Sequence, residues 1–548
     1  MAFDMRITLT PVASTEKIYL RGDPRPLGGP VLLFRGDVAH LSLALRSDTW
    51  YLNGSLRITG GPAARAIGIQ RIGFVPAIHD VPPDGDDYYE PSPEKLYPDV
   101  LEPVDPSRIH SQPGYNQGFH LTLRDSDKIP LGDSRVTVTF CVNGEARAKT
   151  SFTVRKLDAA LPPQRCLYTS WMHYDGIAAR HNVRLFTREF YRVFGSYLDA
   201  AVYSGQTMLL VPIFTPALDT EPGRERRTAQ LLDIREDAEG NFRFDFSAFR
   251  KFVAFARAHG IGQLEMPPLF TQWGAEHAPK ILVRGEDGRL RRRFGWETDA
   301  LSEDYRRFLT ALLPALVAEV RAMGLEEETF FHVSDEPHIS HLDHYKACKA
   351  LVMPLLGNCR TLDACSDLAY VGKTPREYSV CAENTVDKYI AAGVRPLCTY
   401  FCGSQRRDYM PNRFLAMPLS RLIVLGALLY KYDMDLFLHW GFNFYNTFLS
   451  RREISPYGNT DCDVQYPAGD AFIVYPDTAA GCCRSSLRLV ATREMFRLSR
   501  ILYLLEEKLG RDAVLAILAE EGIEDFGHYP REAGWMEGFL YRLADRLA

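Results

Sequence analysis

Thr329-Phe330-Phe331-His332-Val333-Ser334-Asp335-Glu336-Pro337 is an apolar run of aromatic and β-branched residues that stops on two acids and a proline. Such a run reads as a short buried strand, and Pro337 ends it because proline has no N–H to give to a ladder. Two carboxyls at a strand end are costly anywhere but in a wet cleft. Neighbouring side chains of a regular strand point to opposite faces, so Asp335 and Glu336 reach one substrate only if the backbone leaves strand geometry there. The plainer alternative is an exposed acidic turn behind a core strand.

Outward from this point, from Cys166 onward, apolar runs alternate with amphipathic segments, the pattern of parallel βα units. Eight strands are predicted, over 166–171, 207–214, 262–267, 329–333, 361–364, 378–381, 395–400 and 435–440. The clearest helix between them carries Tyr305, Phe308, Leu309, Leu312, Leu313, Leu316 and Val320 on one face. Eight such units make a (β/α)8, TIM-like barrel, in which chemistry sits at the carboxyl ends of the strands. Asp335 and Glu336 then follow the fourth strand.

Ahead of the barrel, alternating runs such as Ser55-Leu-Arg-Ile-Thr, Arg135-Val-Thr-Val-Thr-Phe-Cys-Val and Thr150-Ser-Phe-Thr-Val predict an antiparallel β-sandwich. Residues 82–113, rich in proline and acids, read as a long surface loop. Leu161-Pro-Pro-Gln reads as a stiff linker. The expected organisation is multidomain α/β: a sandwich over 1–160, a catalytic barrel over 161–485 and C-terminal helices over 486–548.

A chain of 548 residues, 46% hydrophobic, is long enough for this core. Its net charge of −5, without a basic block, argues against a nucleic-acid partner. No apolar stretch is long enough to span a bilayer, and the amino terminus lacks the apolar core of a signal peptide. Eleven cysteines, an odd number without paired spacing, suit packed, reduced thiols. A cytoplasmic location is expected. Phosphate-binding glycine loops, a nucleophile elbow and dinucleotide fingerprints are absent, which weakens nucleotide and esterase readings.

The strand ends gather rings and polar groups: Trp171, His173 and Tyr174 after the first, Trp273 beyond the third, Tyr400 after the seventh, and Trp440, Asn443 and Tyr445 after the eighth. His338 borders the acid pair. This is the equipment of a sugar site, because pyranose C–H faces stack on aromatic rings while hydroxyls need fixed polar groups. Glycosidic cleavage needs an acid to protonate the departing oxygen and a second group to stabilise the cationic centre. Glu336 is the candidate acid, its pKa expected to rise beside Asp335 and an apolar strand. Adjacent acids also suit substrate-assisted catalysis, where a 2-acetamido oxygen attacks the anomeric carbon, one carboxylate orients that amide and its neighbour is acid and then base.

Phe331-His-Val-Ser-Asp-Glu-Pro, Leu438-His-Trp-Gly-Phe-Asn-Phe-Tyr, Gly469-Asp-Ala-Phe-Ile-Val-Tyr-Pro and Ser486-Leu-Arg-Leu, in this order and spacing, resemble glycoside hydrolase family 123 across most of residues 160–510. The resemblance implies a β-N-acetylgalactosaminidase with an N-terminal sandwich and a catalytic barrel. By position, Asp335 would hold the acetamido group and Glu336 would be the general acid/base, with Trp440, Asn443 and Tyr445 in a motif associated with the sugar pocket.

Two readings compete with this one. A conventional retaining enzyme would use Glu265 or Glu383 as nucleophile. A non-catalytic glycan-binding protein on an inherited barrel would need no acid at all. His338, His341 and His344 lie near Asp335 and Asp343, but spacing by three carries them around a helix, so no metal and no cofactor are expected. The expected partner is a glycoside or oligosaccharide, with neither nucleic acid nor membrane; a homo-oligomer is compatible with the composition.

Overall fold

The computed structural model describes residues 6–547. Period-two patterning in the N-terminal part produces two five-stranded sheets. In one, the strands lie in the order Ile7–Ala13, Val38–Ser47, Asn116–Arg124, Ile67–Pro76, Leu96–Pro103; in the other, Val31–Arg35, Glu145–Ala160, Gly132–Val142, Tyr51–Thr59, Ile109–Ser111. Val136, Val138 and Phe140 are buried between the sheets with Leu121 and Leu123, while the intervening Thr137 and Thr139 face outward. Among these strands the pairing is antiparallel except at one place. Val31–Arg35 runs parallel to the long strand beside it, Val154 opposite Val31, so the sandwich is not wholly antiparallel as expected.

The segment 82–113 also departs from expectation, since it contains the strands Leu96–Pro103 and Ile109–Ser111. Pro98 and Pro103 are tolerated within Leu96–Pro103 because it is an edge strand, where a missing N–H leaves no partner unsatisfied. The part before it crosses to the barrel. Arg421 pairs with Asp86, Arg406 with Asp84, and Glu90 N–H reaches Ala416 C=O at 2.6 Å.

Eight parallel strands close a barrel: Leu167–Ser170, Met208–Leu210, Gln263–Met266, Thr329–Phe331, Arg360–Ala364, Glu377–Ala382, Leu397–Tyr400 and Leu436–His439. Each falls in or beside a predicted run. Closure is direct, the first strand pairing with the last from Leu167 opposite Leu436 to Ser170 opposite His439. Met208, Leu210, Phe330, Leu362, Val380 and Leu436 fill the interior, as a packed barrel requires. The predicted helix face is wholly buried on Glu303–Ala322. Not anticipated was a four-stranded sheet, in the order Phe242–Asp245, Asp233–Glu236, Ile281–Arg284, Leu290–Phe294. These strands are only four or five residues long, too short for alternation to mark them.

The helices Leu487–Leu509, Arg511–Glu520 and Trp535–Leu547 follow the barrel. Ser486 Oγ caps the first by accepting Leu489 N–H at 3.0 Å. Two buried ion pairs join this helix to the sandwich, Arg488 with Asp99 at 2.8 Å and Arg497 with Asp37 at 2.6 Å. Buried charges survive only when paired in this way. All eleven cysteines are free thiols. Among the described residues no helix is long and apolar enough to cross a membrane.

Candidate active site

The strand Thr329–Phe331 ends in the break that the acid pair needs. Glu336 takes a left-handed φ of 41°, outside any strand geometry, and its N–H is held by Ala364 C=O at 3.0 Å. Trp273 N–H holds the Asp335 carbonyl at 2.8 Å. The turn cancels the pleat's alternation, and both carboxyls line one cavity of about 290 Å³ at the carboxyl ends of the barrel strands. A strained non-glycine residue of this kind persists when its surroundings over-determine it, which happens most at functional sites.

The two acids sit in different surroundings. Asp335 is 3% exposed and accepts Gln272 Nε2–H on Oδ2 at 2.8 Å. Burial, then the neighbouring Glu336 and Asp219, drive its pKa well above the usual carboxylate range. Glu336 is exposed, and Tyr400 donates its O–H to Oε1 at 2.6 Å. The burial that the sequence suggests for Glu336 therefore falls on Asp335.

Trp171, Trp273, Tyr400 and Trp440 line the cavity. Trp440 is braced by Tyr466, ring centres 5.2 Å apart, and donates Nε1–H to Asp470 Oδ2 at 3.2 Å. Trp171 is fixed from behind by Glu265, which accepts its Nε1–H at 2.7 Å. Glu265 is fully buried and also bonds Thr169 Oγ1 and His332 Nε2, both at 2.5 Å. Burial opposes charge on His332, but Asp363 and Glu265 outweigh it and raise its pKa to about 10. His332, set between the carboxyls of Glu265 and Asp363, thus ties the barrel interior together beneath the cavity.

Several expected site residues lie elsewhere. His173 is buried against Arg226 and the Trp440 carbonyl. Asn443 clamps the His173 backbone, donating to its C=O at 3.0 Å and accepting its N–H at 2.9 Å. Tyr174 bonds Leu210 C=O within the core, and Tyr445 bonds Val474 C=O at 3.0 Å. These four shape the wall from outside the cavity. His338 is exposed and bonds Ser340 at 2.9 Å, away from the lining. Neither nucleophile candidate reaches the cavity: Glu265 is committed to the network above, and Glu383 is buried with both carboxyl oxygens unbonded, burial driving its pKa well upward. Among the described residues no group of three His, Cys, Asp or Glu converges as a metal would need.

Sequence reading missed Asp219, Gln272, Asp470, Cys402, Arg406 and Tyr466, which also line the cavity. Burial lifts Asp219 to about 7 against the pull of Arg226, and Glu336 and Asp470 add to the rise. Asp470 is raised to about 7 by burial, opposed by Arg413 and the Trp440 hydrogen bond. Asp470 stands in the motif Gly469-Asp-Ala-Phe, a signal that could have found it. Asp219 and Gln272 carry no such signal.

A sugar needs aromatic faces, and breaking its glycosidic bond needs a proton donor beside a second carboxyl. The cavity offers both at the catalytic face of a barrel, which places the molecule among glycosidases. A family model described as the catalytic domain of glycoside hydrolase 123 matches residues 171–505. The chain belongs to glycoside hydrolase family 123. A solved family 123 glycoside hydrolase from Clostridium perfringens is similar in fold, with a TM-score of 0.71 at 14% identity, over 99% of this chain and 97% of that one. Two others are distant: a putative glycoside hydrolase from Bacteroides vulgatus (TM-score 0.31, 10% identity, covering 87% of this chain and 79% of that one) and a family 39 glycoside hydrolase from Bacteroides cellulosilyticus (0.32, 11%, 88% and 83%). No curated protein matches the chain.

Proposed function

We propose that this glycosidase releases terminal β-linked N-acetylhexosamine, N-acetylgalactosamine before N-acetylglucosamine, by substrate-assisted catalysis with retention of configuration. The sandwich over 1–160 and the helices over 486–548 support a catalytic barrel over 161–485 in this reading. The 2-acetamido oxygen attacks the anomeric carbon as the glycosidic bond breaks, and Glu336 gives its proton to the departing oxygen. Glu336, now a carboxylate, takes a proton from the water that opens the oxazolinium ring. Asp335 accepts the amide N–H throughout. A carboxylate whose burial makes its charge costly gains most when a donor turns acidic beside it, and the amide N–H does so as positive charge spreads onto it. The stabilisation is thus largest in the transition state.

The observation that carries this reading is the unequal depth of two adjacent acids in one cavity, Asp335 at 3% exposure and Glu336 open to solvent. The inner one meets the substituent of the enclosed sugar, and the outer one meets the bond to the aglycone. The Clostridium perfringens family 123 enzyme is described as a glycolipid glycan hydrolase, which supports a glycan substrate here.

The test uses aryl 2-acetamido-2-deoxy-β-galactosides and -glucosides. Glu336→Gln is expected to lose on the order of 10²-fold or more in rate, the usual worth of general acid catalysis. A thiazoline mimic of the cyclised intermediate is expected to inhibit. Indifference to it, with trapping by a fluorosugar, would instead give the enzyme its own nucleophile, and inactivity on every glycoside with glycan binding retained would make it a binding protein.

A further inference from the structure

Asp219 lies beyond the second barrel strand and lines the cavity of the acid pair. It is 8% exposed, yet its carboxyl makes neither hydrogen bond nor ion pair among the described residues. The residue is nine-tenths buried but its carboxyl faces the cavity, so this unpaired acceptor is completed from the cavity side, by solvent or by a ligand. The backbone gives a second, independent indication. Asp219 takes a left-handed φ of 46°, its N–H donates to Gln272 Oε1 at 2.8 Å, and its C=O accepts Ser450 Oγ–H at 2.6 Å. With its oxygen committed to Asp219, the Gln272 amide must turn its NH₂ outward, and there it meets Asp335 Oδ2 at 2.8 Å. One side chain therefore sets the spacing between Asp219 and Asp335. A strained, cross-braced residue presenting an unused acceptor is the arrangement of a ligand contact.

We propose that Asp219 is a specificity-determining residue that binds a ring hydroxyl of the terminal sugar; this rests on the glycosidase reading above. In that reading C1 is reacting and C2 carries the group held by Asp335, so the hydroxyl belongs to C3, C4 or C6. A carboxyl that is alternately acceptor and donor suits a hydroxyl, which is both. Its pKa, raised to about 7 by burial, lets it serve in either state near neutrality.

The experiment is calorimetric binding of N-acetylgalactosamine and its 3-, 4- and 6-deoxy forms to wild type, Asp219→Leu and Asp219→Asn, with turnover of the aryl glycosides followed in parallel. Wild type is expected to bind one deoxy sugar about tenfold more weakly than the parent, the scale of one lost hydrogen bond that leaves a buried group unpaired. Asp219→Leu is expected to bind the parent that much more weakly and to stop telling the two apart, with Asp219→Asn recovering part of the difference. Asp219→Asn, whose side chain tolerates the left-handed φ, is not expected to melt below wild type, and a merely structural Asp219 would lower its melting temperature; Asp219→Leu loses some stability from backbone strain alone and is read only for binding. Discrimination against all three deoxy sugars surviving in Asp219→Leu would overturn the proposal even if turnover is normal. Coupling without turnover would support Asp219 and count against hydrolysis alone, and failure of all four sugars to bind would overturn both.

Discussion

Tyr400 donates its phenolic O–H to Oε1 of Glu336 at 2.6 Å, tying the end of the seventh barrel strand to the acid that follows the fourth. Glu336 is otherwise open to solvent, so this bond selects the orientation from which it can reach a departing oxygen. Tyr400→Phe keeps the ring and removes the donor. A hydrogen bond of this kind is worth about 1 kcal/mol, so kcat is expected to fall roughly fivefold with KM little changed. Steady-state kinetics on an aryl glycoside measure this, and an unchanged kcat would show that Glu336 needs no such guide.

Gln272 predicts a sharper contrast. Gln272→Ala frees Asp335 and is expected to cost roughly tenfold in kcat/KM, as loss of one hydrogen bond to a charged group does. Gln272→Glu removes the donor that supports Asp335 as the acceptor the reaction needs, and its own charge adds to the cost of ionising Asp335. It is expected to be worse than alanine at neutral pH and to recover on acidification, because a protonated glutamic acid donates again. A kcat/KM profile against pH for the two variants decides; the same profile for both would contradict the bridging role.

Acid sensitivity of folding is expected at the junction of sandwich and barrel. His40 Nδ1 meets His120 Nε2 at 3.0 Å, and Tyr203 Oη meets His40 Nε2 at 2.8 Å. Burial lowers His120 from 6.5 to about 4, and burial together with His120 and Arg493 holds His40 well below its ordinary value. The unfolded chain binds protons that the folded one refuses, so stability is full above about pH 6.5 and falls as pH drops towards 4. His120 alone accounts for about 3 kcal/mol by pH 4. Urea denaturation across this range measures the slope, and His120→Gln is expected to flatten it.

Why some of this was legible and some not follows from where each signal is local. Barrel strands such as Met208–Leu210, Thr329–Phe331 and Leu436–His439 announce themselves because they are buried on both faces and lie in apolar runs, whereas Arg360–Ala364 and Glu377–Ala382 carry charged and polar residues and give a weaker signal. Asp335 and Glu336 stand out because charge at the end of such a run is anomalous. Trp171, Trp273, Tyr400 and Trp440 follow from lying at or shortly after strand ends. The same rule fails for His173, Tyr174, Asn443 and Tyr445, because a residue or two past a strand the chain turns, and these side chains brace the loops from outside. Asp219 and Gln272 were invisible for a different reason. They sit in loops without periodicity, and their meeting is set by a hydrogen bond across 53 positions of sequence. The strands Phe242–Asp245 and Leu290–Phe294 were missed because four or five residues with a high share of charge are too short to stand out, even where, as in Phe242-Arg-Phe-Asp, they alternate.

Asp335 and Glu336, in the proposed reaction, work on a substrate that supplies its own nucleophile. The decisive quantity is the hydrolysis rate of aryl β-glycosides of 2-amino-2-deoxygalactose whose amide is acetyl, difluoroacetyl or trifluoroacetyl. If the amide oxygen attacks, each added fluorine weakens it and the rate falls steeply along the series. A rate indifferent to fluorination, with a glycosyl group trapped on Asp219 or Asp470, would contradict substrate assistance.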